Sequence, residues 1–527
     1  MLSHQSRFNR SKTSHSATIF LFHPSPMYKL QIGSGVVSNN GLILGLSWFW
    51  GRKRVRSFLN LRKARMKTRT TIDVGALIEN SRLGWFHMAI LFNTCMVMFI
   101  EGYDMQVTSY AAPAIIKAWH LTNAYFGPVF GFGLFGYLLG GTVLGHLGDR
   151  LGRKKVIIGG PFLFGIFTFA AAYTTSLTGL LILRFLAGIG IGASIPAAIA
   201  LTVEYAPGHW KARIISLLFL GYTLGGTLGG FVAARLIPVF GWPSVFKLGG
   251  IAPIILAAFV ALTLPESVRF LALRQDRPDQ VRAILQKLSP EVNVDENADY
   301  VVAEERHRGL PVKHLFTEGR GTMTVLLWIA FASSLLGHYF LTSWLPTILA
   351  GAAIPLTYAI ISGALLQGGG GIGGLLICWL SDKKSMLFIA LAFCLASPLI
   401  ILIPRVRGSS LLMLAFMVGF FLVGGQIGLN SIAGTIYPTD IRSTGAGWAL
   451  GIGRIGSILG PVLGGVLISA HLPIRSLFVY TALVVLLCAI TILILSKITR
   501  TRKTFGQSAE IVVNIEQSEL GNSSLTR

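Results

Sequence analysis

The sequence predicts an all-α membrane protein with twelve transmembrane helices in two pseudo-symmetric six-helix bundles. Three observations carry that prediction. Of 527 residues, 53% are hydrophobic and 13% charged, with a mean hydropathy of +0.66; a soluble domain carries about 25% charge. Apolar runs recur along the chain, each long enough for a bilayer-crossing helix of ~20 residues. Features of the first half also return in the second. Asp149 and Asp382 each follow a Gly-rich apolar run and precede another. Glu204-Tyr205-Ala206-Pro207 is echoed by Thr435-Ile436-Tyr437-Pro438, at almost the same offset along the chain. Duplicated halves give this kind of internal echo.

In chain order, residues 1–72 form a basic extension with thirteen Lys or Arg and no Asp or Glu. Two readings stand: an organellar presequence or lipid-binding arm, or a start at Met66, whose short polar lead runs into the first apolar helix. Leu42 to Trp50 is apolar but too short to span. The predicted spans are 85–112, 123–144, 156–175, 178–203, 213–237 and 243–264 in a first bundle (73–264), then 323–349, 356–380, 386–404, 410–436, 443–469 and 474–496 in a second (323–497). A polar linker, 265–322, separates them, with an amphipathic helix expected at Pro278 to Leu288. The polar tail, 498–527, is expected to be disordered.

Positive charge alternates between connections. Arg150 to Lys155, Lys211 with Arg213, Arg269 to Arg320, Lys383 with Lys384, Arg442, and Lys497 to Lys503 fall on one side. That side is expected to be cytoplasmic, with both termini. The net charge of +24 therefore reads as topology rather than a nucleic-acid groove. Cys95, Cys378, Cys394 and Cys488 lie inside apolar runs at spacings that fit neither a metal site nor a disulfide framework. Gly221, Gly225 and Gly229 share a helix face, as do Gly456, Gly460 and Gly464, which suits close backbone packing in lipid. Gly368 to Gly371, with Gly373 and Gly374, suggests either a bending, sliding helix or tight packing.

The hairpin Gly145-His146-Leu147-Gly148-Asp149-Arg150-Leu151-Gly152-Arg153-Lys154-Lys155 joins the second and third spans. Asp149 is placed to accept hydrogen bonds from the N–H groups that open a neighbouring helix; the alternative is an ordinary positive-inside loop. Charges within spans are costly, at least ~2.5 kcal/mol at a helix centre. Glu101 and Asp104, three apart, share a face of the first helix. Two such carboxyls cannot both ionise cheaply, so one can take up a proton; the alternatives are a place at the outer water interface or a permanent cation partner. Arg184 needs a carboxylate or an anionic ligand, and a structural or proton-transfer role is expected. Glu204 is expected to pair with Arg213 or the basic hairpin. Arg454, in the middle of the eleventh span, is the candidate cation for a ligand carboxylate, against a salt bridge within the second half. His338 offers a hydrogen bond in an aromatic lining, against a packing role.

The hairpin pattern resembles the loop between helices 2 and 3 of the major facilitator superfamily. Glu101-Gly102-Tyr103-Asp104, Leu341-Thr342-Ser343-Trp344-Leu345-Pro346-Thr347, Leu264-Pro265-Glu266-Ser267, and the stretch from Tyr437-Pro438-Thr439 through Arg442-Ser443-Thr444-Gly445 to Arg454 resemble its aromatic acid:proton symporters. The resemblance covers about residues 70 to 497, with Glu101 where many relatives have Asp. It implies two bundles around a central cavity and uptake of small aromatic carboxylates with protons across a bacterial cytoplasmic membrane, by a monomer that needs no cofactor and no metal. It implies Asp104 and Glu101 as proton carriers, and Arg454, His338, Tyr103, Phe340 and Trp344 as substrate contacts. Asp149, Arg150, Arg153, Arg184, Glu204, Asp382 and Arg442 would gate or brace. A symporter of a non-aromatic anion and a non-transporting receptor are the alternatives; an enzyme would need a nucleophile–base pair or metal cluster at a membrane face. Residues 1–65 hold eleven basic residues and no spanning run. Deleting them is expected to leave membrane insertion and uptake intact, as read by surface labelling and by transport in the truncated protein.

Overall fold

The computed structural model describes residues 71–145, 147–274, 277–288, 299–301, 312–384, 386–438 and 441–523. The basic segment 1–70, on which the presequence and start-site readings rest, lies outside the described residues. Among those described, twelve helices are long and apolar enough to cross a membrane. They are α1 (Trp85–Ala118), α2 (Asn123–Leu144), α3 (Arg153–Ala171), α4 (Leu177–Tyr205), α5 (Lys211–Phe240), α6 (Pro243–Thr263), α7 (Gly321–Gly351), α8 (Leu356–Lys384), α9 (Met386–Leu402), α10 (Gly408–Thr435), α11 (Arg442–Ser469) and α12 (Ile474–Ser523). Large apolar side chains such as Phe240, Leu262, Met413 and Leu483 are exposed on the outside, as a lipid-facing surface requires. The tail expected to be disordered is instead helical, as α12 continues to Ser523. No proline interrupts residues 474–523, so the backbone can keep its i→i−4 bonds beyond the apolar stretch.

The two bundles repeat one packing scheme. In the first, α1 packs on α5, α2 on α4, and α3 on α6; in the second, α7 packs on α11, α8 on α10, and α9 on α12. Glycines mark the equivalent crossings. Gly225 of α5 lies on the Phe99 carbonyl of α1, and Gly456 of α11 lies on the Ala332 carbonyl of α7. Gly136 and Gly140 of α2 meet the Phe185 and Ile189 carbonyls, while Gly369 and Gly373 of α8 meet those of Phe416 and Phe420. These glycine pairs keep nearly the same sequence offset as Asp149 with Asp382. Gly369 and Gly373, in the run read as a bending helix or as tight packing, thus bring two backbones together.

Between the halves, α2 packs on α11, α5 on α8, and α1 on α7. These contacts gather toward the end that carries the α1–α2 loop. There the Ala124 N–H donates to Ser469 Oγ at 2.7 Å. Ser109 Oγ donates to the Thr342 carbonyl at 2.6 Å, across a sequence separation of 233 residues. Two equivalent positions thus touch on the pseudo-two-fold axis. The Phe130 and Trp344 rings meet at 5.3 Å. The halves are shut at this end.

At the other end, the linker forms a platform under the first bundle. Helices Val268–Arg274 and Pro278–Leu288 bury Leu271, Val281 and Leu285 against Val156 and Tyr205. The lead Thr71–Asp73 pairs in parallel with Asp299–Val301. Asp73 then caps helix Val74–Glu79, accepting from the Gly75 N–H at 2.9 Å. Gly225→Val and Gly456→Val place branched carbons into the opposing carbonyls, so both variants are expected to lower the melting temperature in detergent, with loss of more than ~1 kcal/mol each by overpacking. Equal tolerance of both substitutions would contradict the packing scheme.

Candidate functional site

The residues singled out within the membrane fall into two charged clusters. The first lies inside the first bundle. Asp104 and Arg184 are buried, and their side chains are paired face to face. Arg184 Nη2 donates to Asp104 Oδ2 at 2.8 Å and to the Asp104 carbonyl at 3.1 Å. Its Nη1 donates to Oδ1 at 3.2 Å. Thr168 Oγ1, from α3, donates to the same Oδ1 at 2.6 Å. Asp104 therefore has a permanent cation beside it, one of the alternatives the sequence left open. Glu101, one turn earlier, has a different setting. Its Oε1 accepts from Ser194 Oγ of α4, while its Oε2 is buried with no partner among the described residues. Glu101, Asp104 and Arg184 thus resolve into one balanced pair and one lone carboxyl.

The second cluster stands where the halves meet. Arg454 of α11 donates from Nη2 to Tyr137 Oη of α2 at 3.0 Å and from Nη1 to Tyr339 Oη of α7 at 3.4 Å. Its guanidinium also lies 4.3 Å over the Tyr137 ring. Among the described residues it makes no salt bridge. His338 lies beside Tyr339, ring centroids 5.0 Å apart, with Nδ1 unpartnered among the described residues. Tyr222 of α5 adjoins the same group. A cation held by neutral hydroxyls keeps its full charge for a ligand.

The rings expected as substrate contacts each have a partner within the protein. Tyr103 is buried and its hydroxyl donates to the Val245 carbonyl of α6 at 2.8 Å. Trp344 is fully buried, its Nε1–H donating to the Pro461 carbonyl at 2.7 Å. Phe340 packs with it beneath Gly464. These contacts tie α1 to α6 and α7 to α11. The aromatic wall around the cation is instead Tyr137, Tyr222 and Tyr339, whose signal in the sequence was only an uncharged tyrosine in an otherwise apolar span.

The hairpin also departs from its expected wiring. Asp149 and Arg150 are exposed. Asp149 reaches only Arg153, at 3.5 Å, among the described residues. The carboxylate at the start of α3 is Glu266, which accepts from the Lys154 N–H at 3.0 Å and from the N–H of its own neighbour Ser267 at 2.9 Å. Gly152, with φ of 101°, lets the chain turn directly against Glu266. Glu204 pairs with Arg153 and accepts from Ser267 Oγ at 2.6 Å. Tyr205 Oη donates to the Glu266 carbonyl at 2.5 Å. The hairpin is thereby fastened to the linker of its own half. Asp382 lies in the last turn of α8, but its side chain is outside the described residues. Arg442 opens α11, with a long bond from Nε to the Tyr437 carbonyl at 3.4 Å.

Twelve spans in two like bundles, with charged side chains at their junction, define a polytopic membrane carrier. The model described as Major Facilitator Superfamily matches residues 94–450, and the chain belongs to that superfamily: it is a transporter, not an enzyme. A 4-hydroxybenzoate transporter of Pseudomonas aeruginosa is 36% identical over 401 residues, spanning 75% of this chain and 90% of that protein. A gallate transporter of Pseudomonas putida is 35% identical, spanning 80% and 94%. Among solved structures, a bacterial homologue of the human lysosomal transporter Spinster, in an inward-facing and occupied conformation, superposes with a TM-score of 0.63 at 17% identity, covering 79% of this chain and 98% of that one; that likeness speaks to the fold.

Removing one member of a buried ion pair leaves an uncompensated charge, typically costing ~3–5 kcal/mol. Arg184→Leu is expected to destabilise the purified protein by that order in thermal melts. Asp104→Asn combined with Arg184→Leu is expected to recover part of the loss, because the stranded carboxylate is gone.

Proposed function

We propose that this transporter carries hydroxybenzoate-like aromatic carboxylates into the cell together with protons, by alternating access in the cytoplasmic membrane. One observation carries the reading: Arg454 is a cation at the junction of the halves with hydroxyl partners and no carboxylate among the described residues. A substrate carboxylate would supply the missing charge. The tyrosines around it would offer flat faces to an aromatic ring, and His338 a further hydrogen bond. Similarity to proteins named for 4-hydroxybenzoate and gallate supports the same substrate class.

Glu101 and Asp104 are the proton carriers in this scheme. A proton on Asp104 would loosen its hold on Arg184; a proton on Glu101 would remove a buried charge that has no counter-ion. In this scheme the basic connections, with the hairpin and linker, lie in the cytoplasm, as the positive-inside rule favours, and the closed α1–α2 end faces outward. Asp149, Arg150, Arg153, Glu204, Asp382 and Arg442 would brace the cytoplasmic ends of the helices as the halves rock.

The test is uptake by proteoliposomes under an imposed pH gradient, measured beside counterflow exchange. Asp104→Asn and Glu101→Gln are expected to lose gradient-driven accumulation while keeping part of the exchange, because an amide has nearly the carboxylate's shape but takes up no proton. Arg454→Gln is expected to weaken binding instead, raising KM by roughly 30-fold or more, since truncating a desolvated charge partner costs ~2–5 kcal/mol. Accumulation that survives both acid substitutions would refute proton coupling at this site. Uptake that prefers aliphatic acids would refute the substrate class.

A further inference from the structure

Between the two charged clusters, α1, α2, α4 and α7 line a cavity of about 30 Å³. Its polar lining includes Gln106, Thr108, Ser109, Arg184, Tyr339 and Thr342. Thr108 and Thr342 are 4% and 7% exposed, and neither Oγ1 has a hydrogen-bond partner among the described residues. Buried hydroxyls left this way cost free energy unless something fills the space between them. A water needs about 10–15 Å³ of such space, so there is room for one or two oxygen atoms and not for an aromatic ring. Tyr339 belongs both to this cavity and to the Arg454 site, where its hydroxyl accepts from Nη1 at 3.4 Å. A ligand anchored on Arg454 can therefore reach the cavity alongside one tyrosine side chain.

Charge decides what kind of group fits. The cation among the lining residues is Arg184, and Asp104 already balances it at 2.8 Å. An anion placed there would make the cluster net negative in a low-dielectric site, whereas a neutral hydroxyl can both donate and accept. Arg454, unbalanced, takes the anion; the cavity takes a neutral polar group. We propose that this cavity is the subsite for the ring hydroxyl of the substrate, and that Thr108 and Thr342 determine the preference for hydroxylated aromatic acids over benzoate. The inference rests on the proposed aromatic-acid transport and adds the residues that would discriminate within that class.

The experiment is proteoliposome uptake of benzoate, 3-hydroxybenzoate and 4-hydroxybenzoate by the full chain, comparing wild type with Thr108→Val and Thr342→Val. Valine keeps the shape and removes the hydroxyl. Wild type is expected to favour one hydroxylated acid over benzoate by at least about tenfold in kcat/KM, because a site built to bond a hydroxyl rejects the analogue lacking it. Each valine variant is expected to cut that ratio by roughly tenfold, through the KM of the hydroxylated acid, as the loss of a buried hydrogen bond implies. Thr108→Ser and Thr342→Ser, which keep the hydroxyl, are expected to restore the ratio. A purely structural defect would depress all three acids alike and leave the ratio unmoved, which overturns the proposal. So does a wild type that carries the acids without preference. A wild type that carries none of them overturns the underlying transport reading as well.

Discussion

The buried Asp104–Arg184 pair is the constraint around which the first bundle is arranged. A carboxylate and a guanidinium can be kept in a lipid-surrounded helical bundle only if each is fully hydrogen-bonded by the other and by its surroundings. Asp104 meets that requirement with two guanidinium nitrogens and the Thr168 hydroxyl. The pair thereby fixes α1 against α4, and α3 is tied in through Thr168. Close backbone approach makes the geometry possible. Gly102 lies on the Tyr222 carbonyl and Gly188 on that of Gly133, so α1, α2, α4 and α5 can draw near without intervening side chains. Larger residues at those glycines would push the helices apart and pull the arginine off its carboxylate.

The duplicated scaffold keeps the geometry of its halves and changes their chemistry. Glu101 of α1 takes a hydrogen bond from Ser194 of α4. At the equivalent crossing, Ser334 of α7 donates to Gln426 of α10, with both partners shifted along the chain by nearly the same offset. The same interhelical bond is present twice, but only the first half's version contains an ionisable group. The reverse holds at the central junction, where Tyr222 of α5 corresponds to Arg454 of α11 at that offset. One half carries the acids and the other carries the cation without a carboxylate. A symmetric pair of bundles, meeting where Ser109 contacts Thr342, thus holds unlike functional groups on its two sides.

Much of this was legible in the sequence because membranes simplify the problem. Hydropathy and loop charge mark the spans, and the repeats of Asp149 with Asp382 and of Pro207 with Pro438 mark the two halves. The charged candidates were visible for the same reason, since Glu101, Asp104, Arg184 and Arg454 interrupt apolar runs. What could not be read was the direction of each side chain. Spacing put Glu101 and Asp104 on one face, but only the crossing of α1 with α4 decides that one meets Arg184 and the other Ser194. Tyr103, Phe340 and Trp344 were legible as aromatic, but their bonds and packing between helices were not, because a ring looks the same in sequence whether it meets a ligand or a helix. Glu266, Ser267 and Tyr205 were hidden for another reason. Their partners lie on the linker side of the hairpin, and no periodicity relates a loop carboxylate to a helix start 112 residues away.

The two arginines show how charge balance separates binding from bracing. Arg184 is neutralised by Asp104 and is held by four hydrogen bonds to its neighbours, so moving it would require breaking several bonds together. Arg454 is solvated without being neutralised. Tyrosine hydroxyls from α2 and α7 reach it, and each is a neutral acceptor that holds a cation less firmly than a carboxylate does. One of these bonds, to Tyr137, crosses between the halves. Under the proposed function, an arriving carboxylate would displace hydroxyls from Arg454 at modest cost and in doing so loosen a link that joins the two bundles. A carboxylate built into the protein at the same place would have kept the halves bonded and the cation occupied. Under the proposed function, an Arg454 that meets hydroxyls in place of an acid is thus what lets substrate binding and the motion of the halves act on the same residue.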